Sequence, residues 1–224
     1  MTAYLLAALD MAGTTVDEGG LVYAAVEAAV AGAVGGPVPA DLMRQWKGTS
    51  KEEAIVGLLR AMGSDISRAR VLTVYEAFAS KLEEAYRTTP PAPVPGVLEM
   101  FGTLRRAGVR VALQTGYAKP VANSIMTGLG WTVGETVDAL VTSDTVAASR
   151  PAPYLIFHAM EATGVVDVRR VLTAGDTPND LAAGMNAGAG FVVGVTTGSF
   201  TRPQLEAEAH THILDSVAAI PALL

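Results

Sequence analysis

Three aspartates in this sequence stand where a parallel sheet would bring their carboxylates together. Asp10 directly follows the apolar run 4–9. Asp176 and Asp180 follow a second apolar run, 171–174. Such runs, ended by small turn residues, predict buried strands. In proteins with a parallel sheet, ligands bind beyond the carboxyl ends of the strands. Converging carboxylates suit a hard cation bound through oxygen, and Mg²⁺ typically shares its ligand shell with substrate phosphate.

A hydroxyl and a cation follow two further strand-like runs. Thr115 and Gly116 come after one run, and Arg150 closes the loop 143–150 after the other. A hydroxyl flanked by backbone amides, together with a fixed guanidinium, suits the oxygens of a phosphoryl group. Asp10 would then be free to attack phosphorus and form an aspartyl-phosphate. Each residue alone also fits a structural role: an aspartate as a cap, the threonine as a turn hydroxyl and the arginine as a surface cation. Their occurrence at successive strand ends favours a catalytic role.

The elements that must position these residues alternate between helix and strand from residue 96 onward. Helices are predicted at about 96–107, 119–129, 153–163 and 178–187. Strands are predicted at 109–113, 139–141, 171–174, 191–195 and 212–214. Together with the first strand, this order predicts an α/β fold, a Rossmann-like doubly wound parallel sheet, built from residues 1–16 and 96–224.

Residues 17–95 interrupt that core and are predicted to form an inserted, all-helical unit. Helices are expected at Leu21–Val34, at 41–46, from Ser50 onward and at about 66–87. Ser50 and Glu53 have the spacing of a capping box, with Ser50 as N-cap. Four prolines within residues 88–95 predict a linker back to the core.

The composition excludes several classes of function. The 224 residues are 50% hydrophobic, enough for a sizeable core. A net charge of -6 without a basic cluster argues against a nucleic-acid partner. Because the sequence has no cysteine, it has no thiolate nucleophile and no cysteine metal site. The absence of a long apolar run or a signal-peptide pattern leads us to expect a cytoplasmic protein with no membrane partner.

The four motifs resemble those of the haloacid dehalogenase superfamily. They are Asp10-x-x-Gly13-Thr14, Thr115-Gly116, Arg150-Pro151 and Gly175-Asp176-x-x-x-Asp180. The helical insertion after the first motif resembles the cap domain of that superfamily. The resemblance implies that Asp10 is the nucleophile and that Mg²⁺ is held by Asp10, the carbonyl of Ala12 and Asp176. Asp180 would support the same metal site.

The resemblance also assigns the phosphate-binding residues. Thr115 and Gly116 would hold the phosphate, and Arg150 would occupy the cation position of the third motif. Tyr117, directly after the phosphate motif, would line the substrate site.

The residues at two motif positions resemble those of the phosphonatase-like branch of the superfamily. Most phosphatases carry a general-acid Asp where this chain has Ala12, and a Lys where it has Arg150. The pattern Asp-x-Ala-Gly-Thr-Thr-Val with Arg-Pro resembles the phosphonoacetaldehyde hydrolases. In those enzymes a cap lysine forms a Schiff base with the aldehyde, and the iminium accepts the electrons of the breaking C–P bond. The resemblance therefore implies hydrolysis of phosphonoacetaldehyde to acetaldehyde and phosphate.

Lys51 is the candidate for that lysine, because its position three residues after Gly48 resembles that of the phosphonatase lysine. At the first helical position, the helix dipole disfavours a cation by roughly 0.3–1 kcal/mol. Lys47 would add a second positive charge, and both effects would lower the pKa of the amine. The loop departs from phosphonatase at Lys47 and Ala54, where Met and His are usual. Lys51 is therefore expected either to form a Schiff base or, with Lys47 and Gly48, to contact the substrate.

Two other functions stay open at this point. One is a phosphatase for a small phosphorylated metabolite, with Lys51 and Lys47 binding the substrate. The other is a catalytically weak binding protein that kept the fold after losing the general acid. A homodimer formed through the cap is implied by resemblance to phosphonatase relatives.

Overall fold

A six-stranded parallel sheet forms the centre of the computed structural model, which describes residues 3–224. Its strands are β1 (Leu6–Leu9), β4 (Arg110–Thr115), β5 (Ala139–Thr142), β6 (Val171–Gly175), β7 (Phe191–Val195) and β8 (His212–Leu214). They lie side by side in the order β5-β4-β1-β6-β7-β8. The predicted Rossmann-like α/β fold is confirmed. Residues 1 and 2 of the predicted core lie outside the described part of the chain.

The helices of this core are α5 (Val97–Arg106), α6 (Lys119–Gly128), α7 (Tyr154–Thr163), α8 (Pro178–Ala187) and α9 (Arg202–Glu206). Short 3₁₀ helices cover Ser143–Thr145, Val168–Arg170 and Val217–Leu223. Pro178 at the first position of α8 and Gly188 as its C-cap agree with the sequence pattern. The short α9 was not predicted.

Strand β1 lies between β4 and β6, and this register brings the site residues together. Leu9 pairs with Leu113 on one side and with Ala174 on the other. The next residues along the three strands therefore end at the same edge of the sheet. All four residues of β1 are buried, since helices cover both faces of a parallel sheet. The strand begins at Leu6, two residues later than the apolar run suggested.

Helices α1 (Leu21–Val34), α2 (Ala40–Gln45), α3 (Lys51–Ala61) and α4 (Arg68–Thr88) lie between β1 and α5. Helix α1 packs on α3 and α4, and α3 packs on α4. Helix α4 buries one stripe of its surface, with apolar residues three or four positions apart. This stripe is formed by Val71, Val74, Phe78 and Leu82. Ser50 caps α3, and the predicted capping box with Glu53 is confirmed.

The inserted segment is not wholly helical, which corrects the sequence interpretation. Strand β2 (Val16–Asp17) pairs antiparallel with β3 (Ala92–Pro93), inside the predicted linker. The amide of Val94 also donates to the carbonyl of Thr15, at 3.0 Å. Because each strand has only two residues, the pattern of alternating side chains was too short to predict them. The division at residues 16/17 and 95/96 stays a prediction.

Within residues 3–224, no helix combines the length and apolar character that crossing a membrane would require.

Candidate active site

Asp10 is held at the end of β1 by a tight turn. Its amide donates to the carbonyl of Ala174 at 2.9 Å, and its carbonyl accepts the hydroxyl of Thr15 at 2.8 Å. Gly13 has a φ of 76°, which favours glycine. A Cβ on Gly13 would lie 2.8 Å from Asp176 Oδ2, so the turn packs directly against the second acidic motif. The first motif therefore needs a glycine here for both conformation and space.

Three buried carboxylates converge at this edge of the sheet. Asp10, Asp176 and Asp180 each place an oxygen within 4.8 Å of the others. Burial and the neighbouring negative charges raise the pKa values of Asp176 and Asp180 above their ordinary range. A divalent cation bound through oxygen would relieve that repulsion, so the donor set fits Mg²⁺. The sequence-predicted carboxylates are brought together, whereas the carbonyl of Ala12 as a ligand stays a prediction.

Hydrogen bonds fix the orientation of two of these carboxylates. Asp176 Oδ2 accepts the amide of Ser199 at 2.8 Å. The hydroxyl of Thr14 points to the other oxygen of Asp176. Asp180 completes a capping box with Thr177 at the start of α8. Both carboxylates are therefore preorganised before any ligand arrives.

Arg150 joins the nucleophile candidate to the acidic motif. Its Nη2 lies 2.6 Å from Asp10 Oδ1, and its Nη1 lies 2.9 Å from Asp180 Oδ1. The guanidinium also donates to the carbonyls of Gln114 at 2.8 Å and Gly48 at 3.2 Å. Burial alone would lower the pKa of Arg150, but the two carboxylates raise it above its ordinary value. The cation is fully buried and permanently charged.

The phosphate motif lies directly beneath the loop that carries Gly48 and Thr49. A Cβ on Gly116 would lie 2.3 Å from the carbonyl oxygen of Thr49, so only glycine fits there. Thr115 Oγ1 accepts the amide of Tyr117 at 3.1 Å, which orients its hydroxyl. Gly48 has a φ of 86°, and a Cβ on it would meet Thr177 Oγ1 at 2.2 Å. Glycines thus permit close approach of this loop to the phosphate motif and to the start of α8.

Lys51, the first residue of α3, is buried, with 5% of its surface exposed. Its Nζ donates to the carbonyl of Thr49 at 3.2 Å and lies 4.9 Å from the ring centroid of Tyr23 and 5.4 Å from that of Tyr117. Burial, the largest cause, and the positive charge of Arg150 together lower the pKa of Lys51 to about 8, although nearby carboxylates, Asp10 first, oppose the shift. Sequence reasoning expected a lowered pKa from the helix dipole and Lys47, but the main cause is burial.

Lys47 and Gly48 lie beside Lys51 and share its aromatic neighbour. Lys47 is half-buried, with its Nζ 4.9 Å from the ring centroid of Tyr23. The Tyr23 hydroxyl accepts the amide of Gly48 at 2.8 Å. Asn179 Nδ2 donates to the carbonyl of Lys47 at 2.6 Å, which ties this loop to α8.

Several residues around the site were missed by sequence reasoning. Gln114 directly precedes the second motif and Asn179 stands inside the fourth, so their positions were a usable signal. Glu18 follows the first motif, but nothing in the sequence linked it to Lys51. Tyr23 and Tyr86 lie on helices whose pattern indicates only burial, and packing alone brings them to the site.

Comparison with known proteins agrees with the superfamily that the sequence motifs resemble. Residues 4–188 match the family model of the haloacid dehalogenase-like hydrolases. The phosphonoacetaldehyde hydrolase of Lysinibacillus sphaericus is 33% identical over 202 residues, 85% of this chain and 74% of that protein. That of Parabacteroides distasonis is 39% identical over 107 residues, which span 48% of this chain and only 40% of the relative.

A relative with another name matches over more of the chain. The phosphoglycolate phosphatase of Agrobacterium fabrum is 29% identical over 97% of this chain and 91% of that protein. Among solved structures, a phosphonoacetaldehyde hydrolase-like protein from Oleispira antarctica superimposes with a TM-score of 0.81. It is 22% identical, over 100% of this chain and 92% of that one, and supports the fold alone. The chain belongs to the haloacid dehalogenase-like hydrolases.

Proposed function

We propose that this hydrolase is Mg²⁺-dependent and cleaves the C–P bond of phosphonoacetaldehyde, giving acetaldehyde and phosphate. The observation that carries the proposal is Lys51, a buried amine in contact with two aromatic rings, with a pKa lowered to about 8. An amine with a lowered pKa is what Schiff-base chemistry requires. Its electrostatic neighbours include Asp10, the nucleophile candidate. Relatives named phosphonoacetaldehyde hydrolase support the same substrate.

The reaction begins at the aldehyde. The neutral amine of Lys51 adds to the aldehyde carbon, and loss of water leaves a protonated imine. Asp10 then attacks phosphorus through a carboxylate oxygen, forming the aspartyl-phosphate as the P–C bond breaks. The electron pair of that bond moves through carbon to the iminium nitrogen and gives an enamine. Protonation at carbon and addition of water release acetaldehyde, and a second water hydrolyses the aspartyl-phosphate.

Ala12 is consistent with this route. A phosphatase needs a general acid for its alkoxide leaving group, and a positioned acid typically contributes about 10²–10⁴-fold. The side chain of Ala12 cannot supply a proton. The iminium makes that acid unnecessary, because the leaving group is carbon and its electrons pass to nitrogen.

The remaining residues bind and orient the phosphoryl group. Thr115, Gly116 and Arg150 would contact its oxygens, and Tyr117 forms part of the wall beside Lys51. Asp10, Asp176 and the carbonyl of Ala12 would hold Mg²⁺, with Asp180 in support. The metal would supply positive charge that offsets the charge of the phosphoryl oxygens.

Borohydride trapping tests the proposal. Treatment with borohydride and phosphonoacetaldehyde should inactivate the protein and add a two-carbon group to Lys51, located by peptide mass spectrometry. Lys51→Arg should abolish the adduct and the release of phosphate. Lys81→Arg, an exposed lysine on α4, is the matched control and should still be trapped at Lys51. Absence of an adduct, together with full activity of Lys51→Arg, would overturn the C–P bond proposal.

The second candidate is a phosphatase for a small phosphorylated metabolite. It is favoured by the similarity to a phosphoglycolate phosphatase over nearly the whole chain and by the two lysines beside Tyr23. A screen of phosphate release across phosphonates and phosphate esters separates the two. Asp10→Asn should lose activity under either reading. Retained phosphate release in that variant would instead point to a binding protein contaminated by another enzyme.

The oligomeric state is a further part of the proposal. Because the resemblance to phosphonatases implies dimerisation through the cap, we expect a homodimer. Light scattering on the purified protein measures the mass, and a monomer across the working concentration range would refute it.

A further inference from the structure

Glu18 is a buried carboxylate close to the cap lysine, and the proposed mechanism does not use it. Only 7% of its surface is exposed. Its Oε1 accepts the amide of Gly20 at 3.1 Å, and its Oε2 accepts the amide of Val22 at 2.8 Å. These two bonds help to cap α1, whose N-cap residue offers no side-chain hydrogen bond. Capping alone, however, does not account for a third donor on the same carboxylate.

That third donor is a tyrosine hydroxyl. Tyr86 Oη donates to Glu18 Oε2 at 3.4 Å and lies 2.9 Å from the hydroxyl oxygen of Tyr117. Burial raises the pKa of both tyrosines, so both hydroxyls keep their protons. A hydroxyl carries one hydrogen, and that of Tyr86 is used on Glu18. Tyr117 is therefore the donor in the second bond, and the chain runs from Tyr117 through Tyr86 to Glu18.

The far end of this chain lies beside the reactive amine. The ring centroid of Tyr117 is 5.4 Å from Lys51 Nζ, within the range of a cation–π contact. Tyr117 donates a hydrogen bond to Tyr86, which in turn donates to the carboxylate of Glu18. Such a chain polarises the Tyr117 phenol and strengthens the attraction of its ring for a cation. Arg150 already pairs with Asp10 and Asp180, the other carboxylates that act on Lys51. Glu18 instead receives only neutral hydrogen-bond donors in the contacts described above.

We propose that Glu18 is a positioning residue for Lys51, acting through Tyr86 and Tyr117. The hydrogen-bonded chain holds the Tyr117 ring beside the amine, and the negative charge at its end favours the cationic forms of the nitrogen. In the proposed reaction those forms are the ammonium and the iminium. The catalytic consequence thus rests on the proposed function, whereas the arrangement around the amine does not.

The charged and titratable groups that act on Lys51 define what the test must separate. They are Asp10, Asp180, Arg150 and Glu18, and the rings of Tyr23 and Tyr117 lie within 5.4 Å of the amine. Glu18→Gln keeps an acceptor oxygen for one of the two backbone donors and removes the charge. Tyr86→Phe keeps the packing but breaks the chain. Glu27→Gln changes an exposed carboxylate on α1, the helix whose start Glu18 helps to cap, and is the matched control.

The experiment measures the pKa of Lys51 directly, on the full chain in saturating Mg²⁺. Lysines are reductively methylated with ¹³C-formaldehyde, and the signal absent from Lys51→Arg is followed by NMR across pH. We expect Glu18→Gln to lower the pKa of Lys51 by about 1 unit and Tyr86→Phe to lower it by less. Glu27→Gln should leave it unchanged.

Two results would overturn the inference. One is an unchanged Lys51 pKa in folded Glu18→Gln and Tyr86→Phe, which would reduce Glu18 to a helix cap. The other is an equal shift of the Lys51 pKa in Glu27→Gln, which would mean that the effect comes from the net charge of the protein and not from Glu18. If circular dichroism shows that Glu18→Gln is unfolded, the Lys51 pKa measured in Tyr86→Phe tests the inference alone. Failure of borohydride trapping in the wild type would remove the proposed function while leaving this measurement intact.

Discussion

Arg150 Nη2 lies 2.6 Å from Asp10 Oδ1, and both side chains are almost fully buried. A second nitrogen of the same guanidinium reaches Asp180 at 2.9 Å. One cation therefore offsets two of the three carboxylates and fixes the orientation of the nucleophile candidate. The planar fork of arginine suits this geometry, since an ammonium would reach the two carboxylates as a single point.

Removal of that cation should destabilise the fold strongly. Arg150→Met leaves Asp10 and Asp180 buried and uncompensated, and we expect a loss of about 3–5 kcal/mol in the free energy of unfolding. Urea denaturation in the absence of Mg²⁺ measures this. Arg169→Met removes an exposed ion pair with Asp167 and should change stability little. Equal losses in the two variants would contradict the argument.

Mg²⁺ should stabilise the wild-type acidic cluster but not a variant that lacks one of its carboxylates. Asp176→Asn relieves repulsion among the carboxylates, so without Mg²⁺ the variant should melt at a higher temperature than wild type. Adding Mg²⁺ should raise the Tm of wild type but not that of the variant, because binding to the folded state stabilises it. Asp41→Asn, an exposed carboxylate on α2, should behave as wild type. Thermal melts of the three proteins at two Mg²⁺ concentrations measure these differences in Tm.

The contact between the phosphate motif and residues 46–50, the Lys51 loop that connects α2 to α3, should not tolerate one added methyl group. A Cβ on Gly116 would lie 2.3 Å from the Thr49 carbonyl, so Gly116→Ala must displace the loop. We expect kcat/KM to fall by about 10²-fold, as a misplacement near 1 Å can cost. Gly128→Ala is the control, because a Cβ there meets nothing within 4 Å. Similar kinetics for the two variants would refute the contact.

Asn179 should hold the Lys51 loop closed on the core. Its Nδ2 donates to the carbonyls of Gln45 at 3.2 Å and Lys47 at 2.6 Å. Asn179→Ala should speed amide exchange across residues 45–51 and raise KM. Asn186→Ala, on the same helix, loses a similar bond to the Pro151 carbonyl and should leave that exchange unchanged. Hydrogen exchange read by mass spectrometry compares them, and equal protection in both variants would count against a closing role.

Imine formation should become faster as pH rises. The attacking form of Lys51 is the neutral amine, and with a pKa of about 8 roughly one tenth is neutral at pH 7. The initial rate of borohydride-trapped adduct should therefore climb from pH 6 to pH 9, with an apparent pKa near 8. A rate that is flat or falling over this range would exclude the amine as the nucleophile.

Sequence patterns alone determined the fold class and most of the strand ends. Apolar runs that stop at Asp10, Thr115 and Asp176 predict buried strands locally, and parallel order then brings their ends together. The capping box at Ser50 could be predicted for the same reason, because its partners are three residues apart. Such features depend on short stretches of chain.

Tertiary structure decided the surroundings of Lys51. The chain from Tyr117 through Tyr86 to Glu18 joins residues 31 and 68 positions apart, and Asn179 reaches Lys47 across 132 positions. No local pattern encodes such contacts, since they depend on how packed helices bring distant side chains together. The charge, burial and aromatic neighbours of the amine therefore had to be read from the folded chain, although Lys51 itself was recognisable in the sequence.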